Sequence, residues 1–288
     1  MEILHPRCAG LDVHKETVAA CVRVQVDGKA RREIRTFDTT TAGLLSLSEW
    51  LSQSGCTHVA MEATGVNWKS VWHVLVGGEF ALTLANAAHV KNVPGRKTDV
   101  ADAAWLADLL AHGLIRASFV PEPALWEVRT LLRTRKQLGR ERTSHVQRLQ
   151  KTLEDANIKL DSAVTDLMGV SGRAMVEALI AGESDPAKLA ALAHRRLQAA
   201  PEKLREALRG RVSAHHRFLL RLHLQQVDAL DLAVAQIDRE VEAHLAPVRA
   251  ATRTLASIPG VGALASQVIV SEIGTDMSRF ATAGHLLS

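Results

Sequence analysis

Residues 8–37, CAGLDVHKETVAACVRVQVDGKARREIRTF, decide the fold, because they read as three β-strands in succession. The segments CAGLDVH and TVAACVRVQV are short and rich in β-branched residues, which favour strands. An Asp-Gly pair at Asp27 and Gly28 follows the second segment and is a strong signal for a hairpin turn. The segment REIRTF supplies the third strand. We therefore predict a three-stranded meander at the start of the chain.

Helices and strands alternate after this meander. TTTAGLLSLSEWLSQSG reads as a helix with a threonine cap and a stop at Gly55, and NWKSVWHVLVGG reads as a second helix. THVAME and FALTLAN read as strands, and RKTDVADAAWLADLLAHG, residues 96–113, reads as an amphipathic helix closed by Gly113. This order predicts a mixed α/β sheet and is the arrangement of an RNase H-like domain, although other α/β folds share it.

The composition changes near residue 120, where the segment VPEPALW carries Pro121 and Pro123. Strand signals vanish beyond it, and residues 124–257 are rich in Ala, Leu, Arg, Glu and Gln. A chain of 288 residues is long enough for one large domain or two ordinary ones. We predict an α/β domain over 1–120, an all-α coiled-coil region over 121–250 and a separate C-terminal part over 251–288.

The bulk composition predicts a cytoplasmic protein. The formal net charge of +4 says little about partners by itself. Cys8, Cys21 and Cys56 are odd in number and lack metal-ligand spacing, which favours a reducing compartment. The start, MEILHPRCAG, does not resemble a signal peptide, and no apolar run reaches the about 18 residues that a membrane span needs. We therefore expect no membrane partner.

Four acidic residues stand out as candidate metal ligands and catalytic groups. Asp12 lies in the first strand, Glu62 ends a later strand in VAMEATG, and Asp99 and Asp102 share one face of a helix. The first strand of an RNase H-like sheet is central, so a strand-end glutamate and a helix aspartate can converge on it. Clusters of carboxylate oxygens of this kind hold two hard divalent cations.

Each acid also has a purely structural interpretation. Asp99 can complement a helix dipole next to a Thr98 cap, and Glu62 can cap the helix that follows it. Asp12 is harder to explain in this way, because an isolated carboxylate in an apolar strand is costly. The joint pattern, and no single residue, favours the metal site.

The helical half contains a basic segment at residues 129–151, with eight Arg or Lys and one acid. On a helix, three- and four-residue steps place six of these cations in one stripe: Arg129, Arg133, Lys136, Arg140, Arg148 and Lys151. The stripe predicts contact with a nucleic-acid backbone. The alternative is a solvated face balanced by acids on a neighbouring helix. With 3% aromatic residues, backbone and shape recognition of a duplex is favoured over base stacking.

A heptad pattern follows, and it predicts a coiled-coil seam either within the chain or between protomers. Its apolar positions are Leu220, Leu224, Val227, Leu230, Val234, Ile237, Val241 and Leu245. Asp228, Asp231, Asp238 and Glu242 beside it are expected to be exposed. The neighbouring His215 and His216 are assigned to the surface.

Near the end of the sequence, IPGVG lies between two apolar helical runs within residues 255–274. This pattern is similar to a helix-hairpin-helix, in which amide groups at a helix N-terminus hold a DNA phosphate. Gly260 and Gly262 are therefore candidate nucleic-acid contacts. An ordinary loop between packed helices is the alternative, since Pro and Gly suit both.

Four motifs in matching order carry a resemblance to a known family. GLDVHK, MEATG and KTDVADA resemble the three N-terminal motifs of the insertion-sequence one-ten family of DEDD transposases, and IPGVG with SEIG resembles that family's C-terminal transposase region. The resemblance implies a RuvC-like RNase H fold, a coiled-coil linker and a transposase domain that begins in 251–288. It also implies a site-specific recombinase that joins donor and target DNA under the guidance of a structured RNA.

The same resemblance implies roles for particular residues. Asp12, Glu62, Asp99 and Asp102 match the DEDD acids and are expected to bind Mg²⁺. A homo-oligomer, a dimer or tetramer joined through the helical region, is expected as well. The family's serine nucleophile lies downstream of the segment resembled by FATAGHLLS, and Ser266, Ser271, Ser278 and Ser288 do not match its motif. We therefore expect a C-terminally truncated chain that does not complete recombination alone.

Three functions remain open at this point. The first is an Mg²⁺-dependent, RNA-guided transposase. The second is a catalytically incomplete remnant that only dimerises and binds nucleic acid. The third is a stand-alone RNase H-like nuclease, which needs no serine.

Overall fold

The computed structural model describes residues 2–63, 65–87, 90, 102–195, 197, 199–280 and 282–287. The chain divides into two compact units, Met1–Val120 and Pro121–Ser288. The first unit is a mixed sheet with helices, and the second contains helices and no strand among its described residues. The predicted combination of an α/β N-terminal domain and a helical C-terminal region is confirmed.

The first unit is built on five strands. In chain order its elements are β1 (Arg7–Val13), β2 (Thr17–Val26), β3 (Lys29–Asp38), α1 (Thr41–Gln53), β4 (His58–Glu62), α2 (Trp68–Leu75), β5 (Ala81–Ala85) and α3 (Asp102–Ala111). The strand order across the sheet is β3-β2-β1-β4-β5. The first three strands pair antiparallel, whereas β4 runs parallel to β1 and β5 runs parallel to β4. The predicted meander is therefore present, and β1 is the central strand.

Local sequence signals explain the main turns of this unit. Asp27 and Gly28 both have positive φ, 49° and 76°, as a tight two-residue hairpin between β2 and β3 requires. Thr40 accepts a hydrogen bond from the amide of Gly43, which caps α1 as predicted. Gly55 has a φ of 68° and ends the same helix.

Helices cover both faces of the sheet. On one face, α3 packs its alanine-rich side against β1 and β2, with Ala103, Ala104 and Ala107 buried around Cys21. On the other face, the ring of Trp50 in α1 contacts the ring of Phe37 in β3 in a tilted arrangement, with 5.4 Å between ring centroids. The α3 face is the one that carries the candidate carboxylates, as described below.

The second unit is dominated by two long helices. Its helices are α4 (Pro123–Asp155), α5 (Val170–Ala181), α6 (Pro186–Ala190), α7 (Pro201–Ala207), α8 (Ala214–His244), α9 (Arg249–Ala256), α10 (Ala263–Ile273) and α11 (Ala283–Leu287). Short 3-10 turns lie at Leu160–Ser162, Ala246–Val248 and Met277–Arg279. Throughout the part of the chain that the structure describes, no helix is both long and apolar enough to span a bilayer.

The predicted apolar seam of α8 packs within the chain. Leu220 and Leu224 share a buried cluster with Leu149 of α4, while Val241 shares another with Leu125 near the opposite end of α4. The two helices therefore run antiparallel. Because the seam is buried on α4, it is the intramolecular form of the two that the sequence allowed.

Candidate functional site

Asp12 and Glu62 lie at the same level on neighbouring parallel strands. The register of β1 on β4 pairs Gly10 with Ala60 and Leu11 with Met61, and Asp12 and Glu62 are the next residues along. Residues at one level of adjacent parallel strands point to the same face. Both carboxylates therefore leave the sheet on the same side, at the carboxyl ends of the two strands.

That side is the face covered by α3. The Sγ of Cys8 lies 3.4 Å from the carbonyl oxygen of Ala107, and a Cβ on Gly10 would lie 2.2 Å from the carbonyl oxygen of Ala103. Alternate residues of a strand share a face, so Asp12 follows Cys8 and Gly10 on the α3 side. The alternation in β4 gives Glu62 the same side as Ala60, which is buried with Leu110 of α3.

The helix runs so that its first residue lies towards the same end of the sheet. Cys8 meets α3 near Ala107, whereas Gly10, two residues further along β1, also meets the earlier Ala103. The course of α3 is thus opposite to that of β1. Asp102, the first residue of α3, lies next to Ala103 at the end where Asp12 and Glu62 emerge. The fold thereby brings three of the four predicted acids to one end of one face.

The surroundings of Asp12 leave its carboxylate accessible. Its side chain is 28% exposed, and its Oδ2 lies 3.2 Å from Nε2 of His14. Small residues flank the carboxylates at the same level, since Asp12 pairs with Ala19 of β2 and Glu62 pairs with Ala85 of β5. A carboxylate in this position remains open to a cation or to a phosphate bridged by one.

The described residues do not contain a complete set of metal ligands. Among them, no three His, Cys, Asp or Glu side chains lie close enough to hold one ion together. Asp99, the fourth predicted ligand, lies outside the described residues, as do Arg96, Lys97 and Thr98. The four-carboxylate site therefore stays a prediction, supported by the common face and end of Asp12, Glu62 and Asp102.

Two of the six predicted cations on α4 have protein partners. Arg129 donates to the carbonyl oxygen of Glu272 at 2.8 Å, and its Nε lies 2.9 Å from the Glu272 carboxylate. Arg133 donates to the same carboxylate at 3.0 Å. Burial lowers the pKa of Arg129, and Glu272 opposes that shift. Arg129 thus fastens α10 to α4, and the sequence could not reveal this because its partner lies 143 residues away.

The other four cations of the stripe are exposed: Lys136, Arg140, Arg148 and Lys151. A different side of α4 is neutralised by α8, as the alternative interpretation expected. Arg135 donates to Asp238 at 2.5 Å and Arg142 donates to Asp231 at 2.5 Å. Among the described residues, the segment 129–151 therefore contains paired arginines and a set of four exposed cations without a protein partner, which we name the free stripe: Lys136, Arg140, Arg148 and Lys151.

The acids beside the seam were expected to be merely exposed, and three of them form ion pairs. Asp231 and Asp238 bind the arginines of α4, and Asp228 accepts from both terminal nitrogens of Arg173 at 2.6 and 2.9 Å. The hydrogen bonds from Arg173 hold the pKa of Asp228 below its usual value. These three acids therefore join the helices of the second unit.

Histidines contribute contacts that the sequence did not indicate. The sequence places His216 at the surface, whereas its side chain is only 14% exposed in the structure. It completes a capping box with Ser213, and its Nε2 lies 2.9 Å from the carboxylate of Asp155. On the paired helices, Nδ1 of His145 lies 3.2 Å from Nδ1 of His223. The His216–Asp155 and His145–His223 contacts join residues 61 and 78 positions apart, so sequence spacing does not reveal them.

The IPGVG segment forms the loop of a helical hairpin between α9 and α10. Gly260 has a φ of 88°, and Gly262 precedes the first turn of α10. Both glycines are exposed, and a Cβ added to either would meet no described atom within 4 Å. Two helices joined by an exposed loop fit both the helix-hairpin-helix and the ordinary-loop interpretation, so the nucleic-acid contact of Gly260 and Gly262 stays a prediction.

Comparison with known proteins gives two matches. A family model described as Transposase, for the DEDD transposases of the IS110 group, matches residues 9–158, which is more than half of the 288 residues. A second model, described as Transposase IS116/IS110/IS902 family, matches residues 252–288. The search of curated proteins found no match.

Proposed function

We propose, from the premise that the chain belongs to the IS110 family of transposases, that it is a site-specific recombinase which uses Mg²⁺ and a structured guide RNA to join donor and target DNA. A transposase or recombinase role follows from the family itself. The observation that carries the metal-dependent part is the common level of Asp12 and Glu62 on parallel strands, with Asp102 on the helix that covers the same face. The strand order and the central β1 favour an RNase H-like fold of the RuvC type.

The donor set fits a hard divalent cation. Carboxylate oxygens are the ligands that Mg²⁺ prefers, and the alanines beside Asp12 and Glu62 leave room at their level. Asp12, Glu62 and Asp102, together with Asp99, would hold the metal. When bound there, Mg²⁺ would neutralise the charge that develops on a phosphate during strand cleavage. The chain's own part is to hold the carboxylates on one face of the sheet.

Nucleic acid is the expected partner of the second unit. The free stripe of Lys136, Arg140, Arg148 and Lys151 extends over 16 helical positions, or about 24 Å at 1.5 Å per residue. Arg and Lys side chains that contact phosphates position a nucleic-acid backbone without reading its sequence. The exposed loop at Gly260 and Gly262 offers main-chain amides for a further phosphate. Donor and target DNA and the guide RNA share this phosphate chemistry.

Self-association is expected through a second face of α8. Phe218, Leu222 and Leu232 are 61%, 39% and 68% exposed, although they lie on the helix whose other side is buried against α4. They belong to a 4-3 spacing with Gln225, Ala229 and Gln236, all of them exposed. We name these six residues the outer face of α8. A heptad spacing without charge suits the same face of a second copy.

The covalent step is not assigned to a serine of this chain. Ser266 and Ser271 are buried, and each donates its hydroxyl to a carbonyl oxygen of its own helix. Ser278 donates to Asp276 at 2.6 Å. Ser288 lies outside the described residues.

The test is a titration of the 288-residue chain with Mn²⁺, followed by electron paramagnetic resonance. Mn²⁺ reports on oxygen-ligand sites that take Mg²⁺. We expect the double variant Asp12→Ala, Asp102→Ala to lose binding, and Glu16→Gln, an exposed acid two residues beyond His14, to retain it. Wild-type protein that binds no Mn²⁺, alone or with duplex DNA, would contradict the proposal.

The alternative functions give different results in a companion assay. A catalytically incomplete protein binds duplex nucleic acid and leaves it uncut at every metal concentration. A stand-alone nuclease cuts DNA in a metal-dependent way without joining strands. In a protein that also carries the serine nucleophile, a recombinase joins donor to target when guide RNA is present, and does so only with intact Asp12 and Asp102.

A further inference from the structure

At Gly10 the backbone of α3 lies very close to the backbone of β1. A Cβ built on this residue would lie 2.2 Å from the carbonyl oxygen of Ala103, 2.4 Å from the amide nitrogen of Ala107 and 2.8 Å from Cβ of Leu106. Two of these three atoms are main chain, so no side-chain rotation can make room. The helix backbone therefore lies directly against the backbone of β1, which only glycine permits.

The helix lies nearer to the sheet at Gly10 than at Cys8. At Cys8 a whole side chain fits, and its Sγ makes an ordinary 3.4 Å contact with the carbonyl oxygen of Ala107. Two residues further along β1, even a methyl group does not fit. The space between α3 and β1 is thus smaller at Gly10 than at Cys8. It decreases along β1 in the direction of Asp12, and along α3 in the direction of Asp102.

We propose that Gly10 is a positioning residue for the carboxylate site, because its missing side chain sets how near Asp102 comes to Asp12 and Glu62. The proposal rests on the metal-dependent function above. Gly10 itself touches no ion or substrate; it acts through the turn of α3 that contains Ala103. Asp102 is the adjacent residue, so a displacement of that turn moves its carboxylate directly.

The size of the displacement makes the effect measurable. Contacts of 2.2 and 2.4 Å would have to open by about 1 Å to reach a tolerable separation for a methyl group. Mg²⁺ demands near-ideal octahedral geometry at about 2.0–2.1 Å, whereas Ca²⁺ accepts about 2.3–2.6 Å and a variable ligand number. A displaced Asp102 should therefore weaken binding of the smaller ion more than binding of Ca²⁺.

The experiment compares Gly10→Ala with Gly139→Ala in the full chain. Gly139 lies within α4 and has open space around a built Cβ, so it is a matched control for the loss of a glycine. We expect Gly10→Ala to weaken Mn²⁺ binding at least tenfold and Ca²⁺ binding less, and Gly139→Ala to change neither by more than about twofold. The readouts are paramagnetic resonance for Mn²⁺ and calorimetric titration for Ca²⁺.

A rescue variant separates positioning from general loosening. Asp102→Glu adds one methylene, about the length by which α3 is displaced. It should weaken Mn²⁺ binding in the wild-type background and recover part of the affinity in the Gly10→Ala background. Opposite signs in the two backgrounds are the signature of positioning, whereas a loosened fold would give losses in both.

Several results would overturn the proposal. Mn²⁺ affinity of Gly10→Ala within twofold of wild type would do so, as would equal losses with and without Asp102→Glu. Should Gly10→Ala fail to fold by circular dichroism, Ala107→Ser enlarges a side chain of α3 that is buried beside Cys21, one turn from Ala103, and the same twofold criterion applies. Wild-type protein without any Mn²⁺ affinity would instead sink the proposed function itself.

Discussion

The guanidinium of Arg129 in α4 binds both the main-chain carbonyl oxygen and the side-chain carboxylate of Glu272 in α10. The guanidinium donates to the Glu272 carbonyl oxygen at 2.8 Å and lies 2.9 Å from the carboxylate, with a further contact of 3.3 Å to the carbonyl oxygen of Ser271. Those carbonyls belong to the last turn of α10, which has few partners of its own. Arg129 therefore caps one helix from the surface of another.

Removal of this cap should destabilise the second unit. We expect Arg129→Ala to lower the free energy of unfolding by about 2 kcal/mol, because hydrogen bonds to a charged group are lost and the carbonyls remain half-buried. Lys136→Ala, an exposed position on the same helix, should change it by about 0.5 kcal/mol or less. Urea denaturation monitored by circular dichroism measures both. Equal effects of the two substitutions would contradict the cap.

The free stripe should determine the salt dependence of nucleic-acid binding. Arg140→Gln and Lys151→Gln should each reduce the slope of log K against log salt concentration by about 0.9 on duplex DNA, because one fewer counterion is released. Lys203→Gln, an exposed lysine on α7, is the control and should leave the slope unchanged. Fluorescence anisotropy at several salt concentrations gives the slopes. If all three variants behave alike, the stripe does not contact the backbone.

An ion triad fastens α3 to the sheet in the first unit. Asp108 accepts from Nε of Arg23 at 3.0 Å and from Arg32 at 2.7 Å, and the Arg23 side chain is only 5% exposed. Asp108→Ala would leave that buried guanidinium unpaired, at a cost of about 3–5 kcal/mol in the free energy of unfolding. The double variant Arg23→Met, Asp108→Ala should regain most of it. An Asp108→Ala variant that is as stable as wild type in urea denaturation would disprove the role of the triad.

The His145–His223 contact should make the second unit sensitive to acid. Burial lowers the pKa of His223, and the neighbouring His145 and Arg148 lower it further. The unfolded chain therefore binds more protons than the folded chain near pH 6, so the stabilising effect of the neutral histidine is complete above about pH 6.5 and declines as the pH falls below it.

The corresponding variant is His223→Gln. It should reduce the loss of unfolding free energy between about pH 7.5 and about pH 5.5, measured by urea denaturation at the two pH values. His215→Gln removes an exposed histidine of the same helix and should retain the wild-type loss. An unchanged pH dependence in His223→Gln would show that another group is responsible.

The outer face of α8 should control self-association. The double variant Leu222→Glu, Leu232→Glu places charges at two exposed positions of that face, so the fold should persist while the assembly dissociates. Val170→Glu, at a residue of α5 that is 76% exposed, adds a charge elsewhere and should keep the assembly. Light scattering after size-exclusion chromatography gives the molar masses. A wild-type monomer at high micromolar concentration would refute the association.

Sequence patterns predicted the helices, the strands and their order. They did not predict the side-chain contacts between elements that are far apart in the sequence. Asp27-Gly28 predicted the hairpin correctly because a tight turn depends on local backbone preferences. The order of strands and helices predicted the mixed sheet, and the heptad predicted the buried seam of α8. Arg129 looked like any other cation of its stripe, because only the folded chain brings Glu272 to it. Gly10 gave no signal either, since its importance depends on the approach of a helix 93 positions later.

The candidate carboxylates were also only partly predictable from the sequence. Asp12 and Glu62 could be chosen from their strands, and the parallel register of β1 and β4 then gives them a common face. The distance in space from these two acids to Asp99 and Asp102 depends on the path of the chain between β5 and α3. Asp99 falls outside the described residues, so the complete ligand set stays a prediction.

The level pairing of β1 and β4 has a consequence for how this domain tolerates change in length. A single residue inserted within either strand ahead of its acid would turn that carboxylate to the α1 side, away from its companion, since neighbouring residues of a strand project to opposite sides. Extra residues in the turn at Asp27 and Gly28 would leave both acids where they are. Variants with one alanine added at each place would therefore differ sharply in metal affinity, although each is only one residue longer.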